Sequence, residues 1–366
     1  MELKQQNLLL FTRTMRTGGT ENVVLQLCKI FQPLVGRVIV CSCGGVHVAT
    51  LEKMGITHYE IPDIDNKSPK TILTVLKTVR RILREEKITV VHTHHRMAAF
   101  YTRLLYNGKF TFFNTSHGVF FDKRILTRFA YKKANLIACG EMVAKNLREF
   151  YGLEKVKTIR NAVEPFDGNL VLDPTIRSLR EQGFSIVGNV GRFSEEKGVS
   201  YFLRAIPTIK DAFPKARFLV VGDGPERDKL NALVSKLGIE EAVSFLGYRS
   251  DVQNVMSQMD FLVLPSLSEG LPLIPIEAFS VGKTIVATAV DGTVEIVKDG
   301  ENGLLCPPAN EKALAEKILW MLEHEEARET MAKNARTCYE KEFSFCRLSK
   351  SYVGYYEEIL AGKETP

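Results

Sequence analysis

No stretch of the 366 residues approaches the roughly 18 uninterrupted apolar residues that a membrane span needs, and the opening MELKQQNLLLF is too short in apolar residues for a secretory signal. A cytoplasmic protein is expected. Cysteine is sparse: seven residues, an odd number without C-x-x-C spacing, which argues against a disulfide framework and a thiolate zinc site. Cys28, Cys41, Cys139 and Cys306 lie in apolar segments and read as reduced core residues, and Cys41 and Cys43 have no partner cluster. No Gly-Lys-Ser/Thr follows the Gly18-Gly19 pair, so a Walker phosphate loop is excluded.

The remaining composition, 45% hydrophobic and 25% charged, is that of a globular chain, and its length calls for two domains. The net charge of +6 conceals an asymmetry. Residues 1–165 carry 26 basic and 13 acidic side chains, and residues 166–366 carry 23 and 30. Basic runs such as TVRRILREEK and DKRILTRFAYKKAN give the first half a positive potential suited to phosphates or an anionic membrane surface. The acidic second half speaks against nucleic acid as a partner.

Short apolar runs alternate with longer segments of helical period, the pattern of parallel strands covered by helices. NLLLF, RVIVCSC, ITVVHTH, TFFNTS and LIACG read as strands of a first doubly wound sheet. FSIVGNVG, ARFLVVGDG, VSFLG, FLVLPS, TIVATAV and NGLLCPP read as strands of a second. Between them a polar stretch with proline and glycine interrupts the alternation as a linker would, and from Asn310 the chain reads as wholly helical. The expected division is residues 1–164, a linker over 165–182, and 183–344, with a terminal helix over 345–366. Ligands of open α/β sheets bind beyond the carboxyl ends of the strands, so a cleft between two such domains is the expected place for chemistry.

Several strand-to-helix turns carry suitable groups. Gly18 and Gly19 precede a helix whose first amides favour an anion. In GNVGRFSEEKG, Arg192 and Lys197 flank a turn and are the right charges to neutralise a diphosphate. In SEGLPLIPIEAF, Glu269 follows a strand, Gly270-Leu271-Pro272 leads into a helix, and Glu277 is the single acid of an otherwise apolar segment. Two carboxylates around a helix start suit two sets of sugar hydroxyls with a phosphate between them. Asp63-Ile64-Asp65 imitates a metal-binding Asp-x-Asp but stands away from any nucleotide element, and His92–His95 has metal-like spacing without a carboxylate or cysteine partner. The histidines read instead as a strand-end cluster on the acceptor side.

In order and spacing, GGTE, VGNVGRFSEEKG, VVGDGPERDKL, SEGLPLIPIEAFSVGKTIVAT and DGTVEIVKDGENGLL resemble the family-4 retaining glycosyltransferases of GT-B fold. The resemblance spans nearly the whole chain. It implies an α/β architecture of two doubly wound Rossmann-like domains facing across a cleft, the terminal helix crossing back to the first. It implies that Gly18 and Gly19 approach the donor phosphates, that Arg192 and Lys197 bind the pyrophosphate, and that Glu269 holds hydroxyls of the transferred sugar. The amides from Gly270 through Leu271 to Leu273 would face sugar and phosphate, with Pro272 unable to donate, and Glu277 would hold the ribose. Gly222, Gly224, Tyr248 and Arg249 would form the side nearest the base, and His117 would stand near the reacting carbon.

The expected activity is metal-independent hexosyl transfer with retention, from a nucleoside-diphosphate sugar to a lipid-linked or soluble saccharide. A polyprenyl-diphosphate-linked glycan of bacterial capsule or exopolysaccharide assembly is favoured, with peripheral contact at the inner face of an anionic membrane through the basic first half. No cofactor is expected. The alternatives are a GT-B-fold epimerase or phosphorylase and a two-domain sugar-binding sensor.

Overall fold

The computed structural model describes residues 2–166 and 168–362. The chain divides into two compact units, Met1–Asn161 with Leu348–Pro366, and Ala162–Arg347. Each is built on an all-parallel sheet with helical crossovers.

In the first unit the strands are β1 (Asn7–Phe11), β2 (Arg37–Ser42), β3 (Thr57–Glu60), β4 (Val90–Thr93), β5 (Thr111–Ser116), β6 (Asn135–Ala138) and β7 (Val156–Thr158), in spatial order β3-β2-β1-β4-β5-β6-β7. The central strands are the apolar runs visible in the sequence. Leu8, Leu9, Leu10 and Phe11 are fully buried because helices cover both faces. The edge strands β3 and β7 are only partly buried, so they carry no continuous apolar run and their sequences do not announce them. Ser68 caps the helix Pro69–Glu85 by accepting from the Thr71 amide, with proline at the first helical position.

The second unit holds β8 (Ser185–Val190), β9 (Ala216–Val221), β10 (Val243–Gly247), β11 (Phe261–Leu264), β12 (Ile285–Thr288) and β13 (Leu304–Cys306), in spatial order β10-β9-β8-β11-β12-β13. The polar stretch read as a linker contains a helix, Pro174–Glu181. Asp173 caps it, with Oδ1 accepting from the Thr175 and Ile176 amides, and left-handed Gly183 follows its end. Asp-Pro at the start and Gly at the end are ordinary helix signals, masked here by the polarity of the surrounding residues.

The last helix, Phe345–Leu360, enters the first unit from Leu348. Its Tyr356 ring stacks on Phe113 with centroids 4.2 Å apart and on Phe31 at 4.4 Å. Among the described residues no helix is long and apolar enough to cross a membrane.

In both sheets the winding reverses between two neighbouring strands, β1 and β4 in one and β8 and β11 in the other. Loops leaving such a pair diverge to opposite faces and open a crevice at the strands' carboxyl ends. Gly18 and Gly19 follow β1, Arg192 and Lys197 follow β8, and Glu269 follows β11, at these two places.

Candidate functional site

Beyond β8 the chain makes a tight excursion that sets Arg192 and Lys197. Phe193 is fully buried and anchors the turn, and its amide donates to Asp223 O at 2.9 Å. The backbone of the next loop presses close. A Cβ on Gly222 would lie 1.9 Å from Gly191 O, and one on Gly224 would lie 2.4 Å from Phe193 O. Glycine is required at both for lack of space. Arg192 is exposed and has no ion-pair partner among the described residues.

Lys197 ends a short 3-10 turn, Glu195–Lys197, followed by Gly198 in the left-handed region at φ 63°. A Cβ at Gly198 would stand 2.1 Å from Pro265 O, so the turn lies directly on the exit of β11. There the Lys197 ammonium donates to Glu269 Oε1 at 2.7 Å, and Ser266 Oγ donates to the same oxygen at 2.7 Å. The Glu269 side chain is 8% exposed and that of Lys197 26%. With both bonds on Oε1, Oε2 has no protein partner among the described residues and is the acceptor left for a ligand hydroxyl.

The loop carrying Glu269 is gripped from β12's side. Asp291 Oδ2 accepts from Ser268 Oγ at 2.9 Å and from the Glu269 amide at 3.3 Å, and a Cβ on Gly292 would meet Gly270 O at 1.9 Å. Sequence reasoning missed Ser266 and Asp291. Their signals were a hydroxyl three residues before the acid and an Asp-Gly turn at the next strand exit. Asp291 itself sits at φ 30°, a conformation asparagine and aspartate tolerate better than most residues.

The helix Leu273–Ser280 starts after Pro272, which serves as its N-cap. Pro275 also lacks an amide hydrogen, so the donors of the first turn are Leu273 and Ile274, joined by Gly270 just before it; none of the three finds an acceptor among the described residues. The helix is apolar around most of its circumference because Pro275, Ile276, Ala278 and Phe279 are buried. Glu277 is half-buried in it with no side-chain partner among the described residues, and burial pushes its carboxyl up to about 7.

Arg249, expected beside the base, has its guanidinium committed elsewhere. It forms a two-pronged pair with Asp251 at 2.8 Å on each prong and reaches Asp173 Oδ2 at 2.6 Å, tying the cap of helix Pro174–Glu181 to the loop after β10. Tyr248 beside it is 57% exposed.

The first unit's crevice is of another kind. Gly18 is extended rather than left-handed, and a Cβ there would stand 2.5 Å from the Glu21 carboxylate, the movable end of a flexible side chain. Glu21 also accepts a short hydrogen bond from Thr14 Oγ1. At the Gly18-Gly19 turn, expected to face phosphate, a carboxylate is therefore already packed. Arg13 is neutralised by Asp63, at 2.9 and 2.8 Å, and by Asp65 at 2.5 Å, which gives both acids of Asp63-Ile64-Asp65 a structural partner.

At the carboxyl ends of β4 and β5 stands a chain of neutral histidines. His92 is held between Tyr356 Oη and Thr115 Oγ1, each at 2.7 Å, and its ring centroid is 4.3 Å from that of His94. His94 Nδ1 meets His117 Nε2 at 3.1 Å. Burial holds the pKa of His92 down to about 3 and that of His117 to about 4, and burial, with His92 and His117 adding to it, drives that of His94 well below the ordinary imidazole value. His117 thus presents a neutral ring whose Nε2 is taken and whose Nδ1 remains for a ligand. Among the described residues no group of three or more histidine, cysteine, aspartate or glutamate side chains is arranged to hold a metal ion.

Comparison with known proteins places the chain among glycosyltransferases. Residues 17–165 match the family model described as glycosyltransferase family 4, and residues 176–337 match that described as glycosyl transferases group 1. An alpha-D-kanosaminyltransferase of Streptomyces kanamyceticus is 31% identical over 176 residues, 48% of this chain and 46% of its own length. An N,N'-diacetylbacillosaminyl-diphospho-undecaprenol alpha-1,3-N-acetylgalactosaminyltransferase of Campylobacter jejuni is 34% identical over 203 residues, 56% of this chain and 50% of its own. The chain thus spans about half the length of these two curated relatives. The crystal structure of the Anabaena protein HepE in complex with UDP-glucose superposes with a TM-score of 0.82 at 23% identity, over 96% of this chain and 99% of that one.

Proposed function

Since the chain belongs to the family-4 glycosyltransferases of GT-B fold, we propose that it transfers a hexosyl group from a nucleoside-diphosphate sugar to a saccharide acceptor, with retention and without a required metal. The observation that carries this reading is the Lys197–Glu269–Ser266 constellation beside an unpaired Arg192 and the free amides of Gly270, Leu273 and Ile274. When the bond to the anomeric carbon breaks, negative charge grows on the departing diphosphate. Arg192, Lys197 and those amides are the donors that would meet it, and a well-placed donor of this kind is worth ~3–4 kcal/mol.

Glu269 acts as a positioning residue. Lys197 and Ser266 hold one of its oxygens, and the other accepts from hydroxyls of the transferred sugar. Glu277 accepts from the ribose hydroxyls, more strongly once ionised. Among the described residues the carboxylates on the turns joined to the Glu269 loop are already engaged, Asp291 Oδ2 by Ser268 and the Glu269 amide and Glu196 Oε1 by Ser194 Oγ. We therefore favour attack by the acceptor on the face the diphosphate leaves, with the leaving phosphate taking the acceptor's proton. His117, neutral, orients sugar or acceptor by hydrogen bonding.

For the acceptor we propose a polyprenyl-diphosphate-linked glycan of bacterial surface polysaccharide, capsule or exopolysaccharide, reached by peripheral contact with an anionic membrane. The Campylobacter relative, named for an undecaprenyl-diphosphate-linked acceptor, and the excess of cations in residues 1–165 support it. The test is a panel of nucleotide sugars scored by melting shift, followed by transfer to a lipid-linked saccharide with the product anomer read by NMR. Stabilisation by a nucleotide sugar and an axial-type linkage matching the donor are expected. Inversion of the anomer, or conversion of the donor with no acceptor present, would overturn the reading.

A further inference from the structure

The geometry points to a membrane-docking face on the first unit, formed by the loop after β5 and the helix Arg124–Tyr131, whose occupant is the surface of an anionic lipid bilayer. Among the described residues, Phe120, Phe121, Ile125 and Phe129 are 51%, 73%, 87% and 39% exposed, four large apolar side chains turned outward within ten positions. Single exposed apolar residues are commonplace, but a cluster of this size marks a surface that meets another phase or partner.

These side chains stand on a fixed backbone. Buried Asn146 clamps Phe120 from both sides, its Nδ2 donating to Phe120 O at 2.9 Å and its Oδ1 accepting from the Phe120 amide at 3.2 Å. Tyr151 Oη donates to Asp122 O at 3.0 Å, and Arg96 pairs with Asp122 at 2.8 Å while lying over the Phe120 ring at 5.3 Å. The loop is thus built to present the rings.

The charge beside them selects the partner. On the helix Arg124–Tyr131, Thr127, Ala130 and Tyr131 face the core. Ile125 and Phe129, four apart, form an outward apolar row, and Arg124, Arg128 and Lys132 form the next row at the same spacing. From 120 to 133 there are five cations and one acid, and that acid, Asp122, is paired with Arg96. The basic row continues into an open cavity of about 500 Å³ lined by Arg128, Lys132, Lys155, Phe129 and Leu153, with Glu154 its one acid. Apolar side chains that enter the acyl boundary, flanked by cations at headgroup level, are the pattern of an interfacial helix. A second copy of this chain would set the cationic face against itself.

This deepens the reading of a lipid-linked acceptor and rests on it for its role, but it is tested without donor or acceptor. In flotation with vesicles of equal parts phosphatidylglycerol and phosphatidylcholine, the full chain is expected to bind at low salt, to be released as salt rises, and to ignore pure phosphatidylcholine. The double variant Phe121→Ser/Ile125→Ser should lower the partition coefficient about tenfold or more, and Arg124→Gln/Arg128→Gln/Lys132→Gln should remove the preference for phosphatidylglycerol. Both sets are exposed, so unchanged melting certifies folding. Failure of the wild type to bind, equal binding to neutral vesicles, or indifference to both sets would overturn the proposal. So would a dimer dispersed by the apolar variant, which assigns the face to a second copy, or release by inorganic phosphate at matched ionic strength, which assigns the cavity to free anions. A melting shift with nucleotide sugar that survives in all variants separates failure here from failure of the transferase reading.

Discussion

At the carboxyl end of β8 stands Arg192 with no carboxylate of its own among the described residues; beyond the end of β1 stands Arg13 with two, Asp63 and Asp65. The two sheets share the same reversal of winding, and their crevices are chemically opposed. The second unit offers unpaired donors, a lysine shared with one glutamate oxygen, and proline-thinned helix amides. The first offers a packed glutamate at its glycine pair and three histidines that burial keeps neutral. Topology fixes where a ligand meets such a sheet, and the charge left unpaired there decides which part of the ligand it meets. We propose accordingly that the diphosphate meets the unpaired donors of the second unit.

The sharpest way to break this comparison is to remove the second unit's donors. Lys197→Ala is expected to lower kcat/KM by about 10²–10³ and to weaken nucleoside-diphosphate binding, the effect of losing one donor to developing charge. Glu269→Ala should cost a similar factor in kcat with donor affinity largely kept. Unchanged turnover in either variant would remove the constellation from the mechanism.

Next in size is the backbone that sets those side chains. Gly198→Ala forces a Cβ against Pro265 O in a left-handed residue. A loss of roughly 2–4 kcal/mol in denaturant unfolding is expected. A loss under half of that would show that the Lys197 turn can move off β11.

The first unit should carry an acid sensitivity that sets in at higher pH than that of the second unit's paired carboxylates Asp251 and Glu196, which are held below the ordinary carboxylate value. His92, His94 and His117 are held neutral in the fold, whereas an unfolded histidine takes a proton near 6.5. The unfolded chain therefore binds more protons below that value, and stability should fall as pH drops from about 6.5 toward the 3–4 range. His94→Gln should flatten this limb in a stability-versus-pH series. A limb unaltered by that substitution would assign the acid sensitivity elsewhere.

The smallest effect concerns Glu277, whose carboxyl is raised to about 7. The folded state holds that proton where the unfolded state releases it near 4.3, so this residue's contribution to stability is lost as pH rises through that interval. Glu277→Gln should raise the melting temperature slightly at pH 8 and leave it unchanged at pH 4, while donor affinity of the wild type should strengthen as pH passes about 7. Affinity that is flat across that range would detach Glu277 from the ribose.

Much of this was legible in the sequence. The central strands read correctly because burial on both faces forces continuous apolar runs, whereas β3 and β7, at sheet edges, satisfy no such demand. Lys197 and Glu269 were found as charges at strand exits, but their direct pairing was not, since it depends on Gly198 lying against Pro265 across a sequence gap that spacing does not encode. The pairing of Arg249 with Asp173 was not legible, because the two residues stand 76 positions apart in sequence. The coupling of His94 to His117 was hidden for the same reason, neighbouring strands being 23 residues apart in sequence.

One consequence concerns synthesis. During translation, the first half of the chain emerges with Phe31, Phe113 and His92 in place but without Tyr356, the ring that covers them all. That aromatic socket stays open while nearly two hundred further residues are made, so a ribosome-bound intermediate should present a sticky, half-finished domain, and trimming the last turns of the chain should leave every molecule arrested in that condition.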